Sequence, residues 1–153
     1  MRERILILCT GNSSRSQMAE AFLKSYDSRM EVFSAGTEPA KEVHPMAIKV
    51  MAELDIDISQ NKPKIVNPFI NQSFDYVITV CGDANRNCPE FAGKVKNRWH
   101  LEFDDPAKVE GTDQEILDAF REIRDQIGEG FLSFYKSQMA PSSCGSCSCC
   151  GGC

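Results

Sequence analysis

A cysteine and an arginine six residues apart, Cys9 and Arg15, are the first residues whose types and spacing suggest chemistry. They bracket the short polar stretch CTGNSSRS, which directly follows the apolar run ILIL. A cysteine thiolate is a nucleophile, and a guanidinium binds two oxygens of an anion at once. The pair therefore indicates nucleophilic attack on a bound oxyanion. The alternative is that Cys9 is a small buried hydrophobic residue at the end of a strand.

The loop between these two residues is suited to hold a tetrahedral oxyanion such as phosphate or arsenate. In a strand-to-helix loop, successive backbone N–H groups point at one spot, and the helix N-terminus adds partial positive charge. Gly11 permits unusual backbone angles, and Asn12 can brace the loop with its amide. The same field favours the thiolate form of Cys9. The predicted oxyanion cup consists of Thr10, Gly11, Asn12, Ser13, Ser14, Arg15 and Ser16.

Strands alternate with helices along the chain, which predicts a three-layer α/β fold with a four-stranded parallel sheet flanked by helices. The predicted strands are residues 5–8, 31–34, 75–80 and 97–101, and helical spacing begins at Gln17 and at Pro45. A capping box at residues 112–115 starts a long last helix. The expected buried faces are Ala47, Ile48, Met51 and Leu54 in the second helix, and Ile116, Phe120, Ile123, Ile127, Phe131 and Phe134 in the last.

Two further cysteines, Cys81 and Cys88, lie seven residues apart in the loop-like segment VCGDANRNCPEF. Cys9 and Cys81 each follow an apolar strand by one residue, and ligands of parallel sheets bind beyond the carboxyl ends of strands. We therefore expect Cys9 and Cys81 to share one crevice. A rearrangement of the loop could then bring Cys88 to Cys81, although the two could also be unrelated surface-loop residues.

The overall composition fits a single globular domain of 153 residues. A net charge of −5 without a basic stripe argues against nucleic acid as a partner, and no stretch is long enough to span a membrane. The N-terminus is predicted to be the first strand rather than a signal peptide, so we expect a cytoplasmic protein. The predicted domain comprises residues 1–139, and residues 140–153 form a cysteine-rich tail that is expected to be disordered.

The tail carries five of the eight cysteines, namely Cys144, Cys147, Cys149, Cys150 and Cys153. Thiolates at this density suit trivalent arsenic, zinc or copper(I), and they could also form an extra redox relay or have no role. Structural zinc sites bring two cysteine pairs together across a longer loop, so this spacing does not indicate one. The rest of the chain shows no His/Cys/Asp cluster with metal-ligand spacing.

The motifs CTGNSSRSQMAE, SAGTEP, AELDIDIS, TVCGDANRNCP and FDDPA, taken together, resemble those of thioredoxin-coupled arsenate reductases. That class shares its fold with low-molecular-weight protein tyrosine phosphatases. The resemblance covers about residues 3–135 in matching order and does not extend to the tail.

The resemblance implies a disulfide relay in which Cys9 attacks arsenate, Cys81 attacks the adduct, and Cys88 then attacks Cys81. Thioredoxin would reduce the final disulfide, and no cofactor is implied. Asp105, which directly precedes the proline of FDDPA, would be the general acid rather than Asp104. The histidines His44 and His100 are assigned to helix capping or the surface and to packing, respectively.

The family can also hold a potassium ion at positions matching Asn12, Glu20 and Ser34, but Lys64 falls close to the position of a further aspartate ligand. A lysine ammonium there would repel the ion and could replace it. Ser14 likewise stands where the family often has a cysteine.

Two other functions stay open on the sequence. A tyrosine phosphatase would need only Cys9, Arg15 and Asp105, together with an aromatic-walled pocket, for which the chain offers little beyond Trp99 and Phe103. A protein that binds arsenite or a soft metal through the tail, with the rest of the chain as scaffold, is the non-enzymatic alternative.

Overall fold

The structure, a computed structural model, describes residues 3–82 and 92–138. Its strands are β1 (Arg4–Cys9), β2 (Glu31–Gly36), β3 (Phe74–Thr79) and β4 (Val95–His100). These four strands form one parallel sheet in the order β2–β1–β3–β4. The helices are α1 (Arg15–Tyr26), α2 (Pro45–Ala52) and α3 (Asp113–Gln138). The predicted four-stranded parallel sheet is confirmed, and the strand boundaries shift by one or two residues.

The centre of the sheet is fully buried, because the apolar run in β1 is covered on both faces, as expected for a parallel strand. Ile5, Leu6, Ile7 and Leu8 all have no exposed surface. β1 lies between β2 and β3, so its carboxyl end at Cys9 adjoins the ends of both neighbours. The sheet thereby delivers Cys9 and the residues after β3 to the same edge.

Helix α3 packs on α1 and α2 with the predicted stripe: Phe120, Ile123, Ile127, Phe131 and Phe134 are buried, and Ile116 is half-buried. The predicted capping box is confirmed, since the Glu115 N–H donates to Thr112 Oγ1 and the Thr112 N–H donates to Glu115 Oε1, both at 3.2 Å. None of the described helices could cross a membrane.

One core prediction is wrong, because Leu54 has 43% of its surface exposed. Helix α2 ends at Ala52, and Asp55 adopts a left-handed conformation with φ of 61°. The chain therefore leaves the helical path before Leu54 can follow Met51 into the core. Helical spacing alone predicted the wrong side for Leu54, since the spacing continues past the point where the helix stops.

Candidate active site

The loop from Cys9 to Arg15 joins β1 to α1, as predicted, and its carbonyl groups point outward. These carbonyl groups accept hydrogen bonds from backbone N–H groups of residues 37–44. The donor and acceptor pairs are Thr37 to Cys9 at 3.2 Å, Glu38 to Thr10 at 2.9 Å, Ala40 to Gly11 at 2.9 Å and His44 to Ser13 at 2.8 Å. In a planar trans peptide, the carbonyl and the following N–H point in opposite directions. The N–H groups of this loop therefore face its centre, which makes a cup of donors for an anion.

Asn12 braces the cup from within, as predicted. Its side chain is fully buried, donates to Ser16 Oγ at 2.8 Å, and accepts from Gln17 Nε2 at 3.1 Å and from the Lys64 N–H at 2.8 Å. Asn12 also has a φ of 50°, a region that asparagine tolerates better than most residues. Gln17 is a structural contributor that the sequence analysis missed, because a glutamine in an early helical turn carries no distinctive signal.

Cys9 and Cys81 share one crevice, which confirms the prediction from the strand ends. Both are buried, their Sγ atoms lie 3.7 Å apart, and Thr10 Oγ1 lies 3.4 Å from Cys81 Sγ. This separation exceeds a disulfide bond of about 2.05 Å, so Cys9 and Cys81 are not bonded to each other and their sulfur atoms are in contact. The thiol pair at the floor of the cup is therefore arranged for one sulfur to reach the other.

The cup acts in favour of the Cys9 thiolate, as expected, but the Cys81 contact and burial leave the thiol form favoured. The hydrogen bond with the Cys81 thiol, followed by burial, raises the pKa of Cys9 above its ordinary value. The Arg15 guanidinium and the Thr10 N–H act in the opposite direction but do not outweigh these two causes. The field of the loop follows from the residue types, whereas the distance to the Cys81 sulfur is visible only in the structure.

Arg15 connects the cup to the segment that carries the predicted acid. Its Nη1 donates to the Phe103 carbonyl at 3.0 Å, and its Nη2 lies 3.5 Å from Asp105 Oδ2. Its Nε is buried and has no hydrogen-bond partner among the described residues. Buried donors are normally satisfied, so this N–H is available for an anion oxygen.

Asp105 precedes a short 3₁₀ turn, Pro106–Lys108, and its Oδ1 accepts from the Ala107 N–H at 3.0 Å. A cavity of about 390 Å³ separates this segment from the end of β3, with Arg15, Cys81 and Asp105 among its lining residues. Phe103 is the one aromatic side chain among the described lining residues, and Trp99 does not belong to the lining. Glu102, Asp104 and Lys108 also line this cavity, and sequence reasoning had given them no role.

Neither histidine faces this cavity as a lining residue in the described part of the chain. His44 caps α2, because its Nδ1 accepts from the Met46 N–H at 3.1 Å, and this confirms the capping role. Burial lowers the pKa of His44, although Asp105 opposes this shift. His100 was predicted to serve in packing, but both of its ring nitrogens make polar contacts. Its Nδ1 lies 2.7 Å from Thr79 Oγ1, and its Nε2 lies 3.0 Å from Glu102 Oε1.

The positions that match the family's potassium ligands do not suit a cation in this chain. Glu20 is buried, accepts from the Ser34 hydroxyl, and has Lys24 Nζ at 2.6 Å and Lys64 Nζ at 4.0 Å. Two ammonium groups already neutralise the carboxylate that the ion would need. Across residues 3–82 and 92–138, no group of three His, Cys, Asp or Glu side chains is placed to hold a metal ion.

Cys88 and the five tail cysteines lie outside the described residues. The pairing of Cys81 with Cys88 and the ligand role of Cys144, Cys147, Cys149, Cys150 and Cys153 therefore stay predictions.

A loop with inward N–H groups between a buried cysteine and an arginine, on a sheet of order β2–β1–β3–β4, defines the class of protein. The chain belongs to the family of low molecular weight phosphotyrosine protein phosphatases, whose pattern matches residues 4–140. An arsenate reductase of Bacillus licheniformis is 47% identical over 134 residues, which are 87% of this chain and 95% of the relative.

Solved structures place the chain near the same group. An arsenate reductase in its oxidized state has a TM-score of 0.75 and 31% identity, and the match covers 88% of this chain and 98% of that one. A thioredoxin-dependent arsenate reductase of Corynebacterium glutamicum has a TM-score of 0.63 and 32% identity, with 89% of this chain and 60% of that one covered.

Proposed function

We propose that this protein reduces arsenate to arsenite in the cytoplasm, with Cys9 as the nucleophile and thioredoxin as the reductant. The observation that carries the proposal is that the Cys9 and Cys81 sulfur atoms lie 3.7 Å apart at the floor of an oxyanion cup. Hydrolysis of a phosphate ester needs one thiol, whereas reduction needs a second thiol that can reach the first. The similar relatives named arsenate reductases support the same activity.

In the first step the cup amides and Arg15 hold arsenate while the Cys9 thiolate attacks arsenic. A sulfur–arsenic bond forms, and one arsenic–oxygen bond breaks. Asp105 protonates the departing oxygen as general acid, so that it leaves as water. The role of Arg15 in holding arsenate is supported by its Nε, which has no hydrogen-bond partner among the described residues and can donate to the oxyanion.

In the second step the Cys81 thiolate attacks the Cys9 sulfur. The sulfur–arsenic bond breaks, its electron pair stays on arsenic, and arsenic(V) becomes arsenic(III) as a Cys9–Cys81 disulfide forms. Cys88 then attacks Cys81, which releases the Cys9 thiolate and leaves a Cys81–Cys88 disulfide. The dithiol of thioredoxin reduces this last disulfide by exchange.

A coupled assay tests this proposal, with arsenate, thioredoxin, thioredoxin reductase and NADPH. Wild type is expected to consume NADPH in proportion to arsenate, and Cys81→Ser to lose nearly all of this turnover. Ser73→Ala, away from the cavity, is the control for substitution as such. Full turnover in Cys81→Ser would contradict the relay.

A residual phosphatase activity is the second candidate, because Cys9, Arg15 and Asp105 do not require Cys81 for hydrolysis. The cavity favours a small oxyanion over phosphotyrosine, since Phe103 is its one described aromatic lining residue. We therefore expect slow hydrolysis of an aryl phosphate that survives in Cys81→Ser. Fast hydrolysis without arsenate reduction would make the protein a phosphatase instead.

We further propose that the tail, residues 140–153, captures the arsenite product. Its five cysteines fall within ten residues, and the tail contains no histidine or carboxylate side chain, so its side-chain ligands are all soft sulfur. Three thiols and one arsenous acid would give a tris-thiolate and three waters. Arsenite titration of wild type and of a chain ending at Pro141 tests this idea, and unchanged stoichiometry would refute it.

A further inference from the structure

We propose that Phe103 is the positioning residue that holds both the acid segment and the Arg15 guanidinium, and that Gly130 of α3 provides the seat for its ring. This inference rests on the proposed function, because it assigns the machinery that aims the general acid. Residues 101–105 form neither helix nor strand, so specific contacts must hold them. Glu102 and Asp104 are exposed, whereas Leu101, Phe103 and Asp105 are half-buried. Leu101 and Phe103 pack against the core, and Phe103 is the nearer of the two to Asp105 in the chain.

The ring of Phe103 lies on one small patch of α3. It stacks on Phe131 with ring centroids 6.3 Å apart and an interplanar angle of 26°. A Cβ placed at Gly130 would lie 3.1 Å from Phe103 Cζ, closer than ordinary van der Waals contact. A glycine inside a helix costs about 1 kcal/mol relative to alanine, and here it makes room for this ring.

The backbone of Phe103 ties the segment to the reacting groups. Its N–H donates to the Val80 carbonyl at 3.2 Å, next to Cys81, and its carbonyl accepts from Arg15 Nη1 at 3.0 Å. Asp105 follows two residues later, with Oδ2 3.5 Å from Arg15 Nη2. A displaced ring would therefore move the acceptor for Arg15 and the acid together.

A pair of alanine substitutions isolates this effect. Gly128 and Gly130 lie two residues apart in α3, and a Cβ at Gly128 would meet Phe22 Cζ at 3.2 Å, much as one at Gly130 meets Phe103. Both substitutions add helix propensity and press on an aromatic ring, but only Gly130→Ala presses on the acid segment. Misplacing a catalytic group by 1 Å can lower the rate about 100-fold. A shift of Asp105 by tenths of an ångström therefore predicts a rate about three- to tenfold lower.

We expect Gly130→Ala to lower kcat for arsenate about three- to tenfold, and Gly128→Ala to change it less than about twofold, at similar melting temperatures. In an Asp105→Asn background, where the acid is absent, Gly130→Ala should cost less in kcat than it does in wild type, since only the part of its effect that acts through Arg15 remains. Phe103→Leu should retain more activity than Phe103→Ala. Equal losses in the two glycine variants, or full additivity with Asp105→Asn, would overturn the inference.

Binding of inorganic phosphate, measured by calorimetry, separates this inference from the proposed function. Gly130→Ala should bind phosphate several-fold more weakly than Gly128→Ala, because the Phe103 carbonyl fixes Arg15. If wild type binds phosphate but reduces no arsenate, the proposed function fails and the phosphate comparison still decides the role of Phe103. Equal phosphate affinities of the two variants would refute that role.

Discussion

At the scale of residues, the contact between Cys9 and Cys81 sets the reactivity of the site. Two thiols 3.7 Å apart cannot both ionise readily, since a second thiolate would face the first in a buried place. Each of the two thiols therefore makes ionisation of the other less favourable.

Replacing Cys81 with alanine is expected to lower the pKa of Cys9, because the Cys81 contact is the largest cause that raises it. The thiolate is the form that reacts with alkylating agents, so the alkylation of Cys9 should move to lower pH. Peptide mass spectrometry after brief iodoacetamide treatment across a pH series measures this shift. Arg15→Met should move the profile to higher pH, and an unchanged profile in Cys81→Ala would contradict the assignment.

Ser14 occupies a buried position in the cup, with 5% of its surface exposed. The proposed relay does not use this position, so Ser14→Cys should keep arsenate turnover. A thiol there would lie close to Cys9 and could form an unproductive disulfide. We therefore expect faster loss of activity under hydrogen peroxide than in wild type or in Ser59→Cys, whose new thiol is exposed. Equal inactivation rates would refute this expectation.

The two ammonium groups around Glu20 predict that the protein does not depend on potassium. Exchanging sodium for potassium at equal ionic strength should leave the melting temperature and arsenate turnover of wild type unchanged. Lys64→Asp, which removes the ammonium 4.0 Å from Glu20 Oε1 and adds a carboxylate, should become more stable in potassium than in sodium. A potassium response in wild type would contradict this prediction.

The cup could be predicted from residue types alone, because a cysteine, a glycine, an asparagine and an arginine lie within one short loop after an apolar run. They could not reveal what turns the loop carbonyls outward, since those hydrogen bonds come from backbone N–H groups of residues 37–44. Backbone donors have no residue type. The raised pKa of Cys9 could not be predicted for a related reason. It depends on the distance between the Cys9 and Cys81 sulfur atoms, which lie at the ends of two different strands.

At the scale of elements, Glu53 joins α2 to α3. Its carboxylate accepts from Arg121 Nη2 at 2.6 Å and from Arg124 Nη1 at 2.8 Å, and it follows the last residue of α2. The Arg121 hydrogen bond, against the effect of burial and with help from Arg124, lowers the pKa of Glu53 to about 2. A carboxyl whose pKa is lower in the folded state stabilises the fold above its unfolded pKa, and this contribution disappears as the pH falls towards 2.

Glu53→Gln should therefore lower the melting temperature most above pH 5, and the difference from wild type should shrink as the pH falls from about 4.5 towards 2. Thermal unfolding followed by circular dichroism across this pH range measures the effect. Glu122→Gln, at an exposed position of α3, is the control. A difference that stays constant with pH would show that the charge of Glu53 is not the cause.

Strand and helix order followed from hydrophobic periodicity, because a parallel sheet buries whole apolar runs such as that of β1. Periodicity could not locate the end of α2, since Leu54 continues the spacing of Met51 beyond Ala52. The left-handed turn at Asp55 ends the pattern, and an aspartate carries only a weak signal for that conformation.

At the scale of the whole molecule, the last packed turns of α3 complete the core. Phe134 contacts Tyr76 and Trp99 edge-on, each with ring centroids 5.1 Å apart, and Tyr135 donates to Asp27 Oδ2 at 3.1 Å. A chain ending at residue 139 retains all of these contacts. We expect it to keep the melting temperature of wild type and its arsenate turnover, as measured by calorimetry and the coupled assay. A lower melting temperature would mean that the tail packs on the domain.

The outward hydrogen bonds of the cup also bear on which residues around it are free to vary in type. Backbone hydrogen bonds between two segments, residues 9–13 and 37–44, hold the cup in shape. Pro39 has no N–H, but it lies between the donors Glu38 and Ala40, so the hydrogen bonds on both sides of it are made. Side chains around the rim can therefore change while the anion site keeps its form. Cys81 comes from the end of β3 and not from the cup loop, so its sulfur stands beside Cys9 without any change in the segments that form the cup.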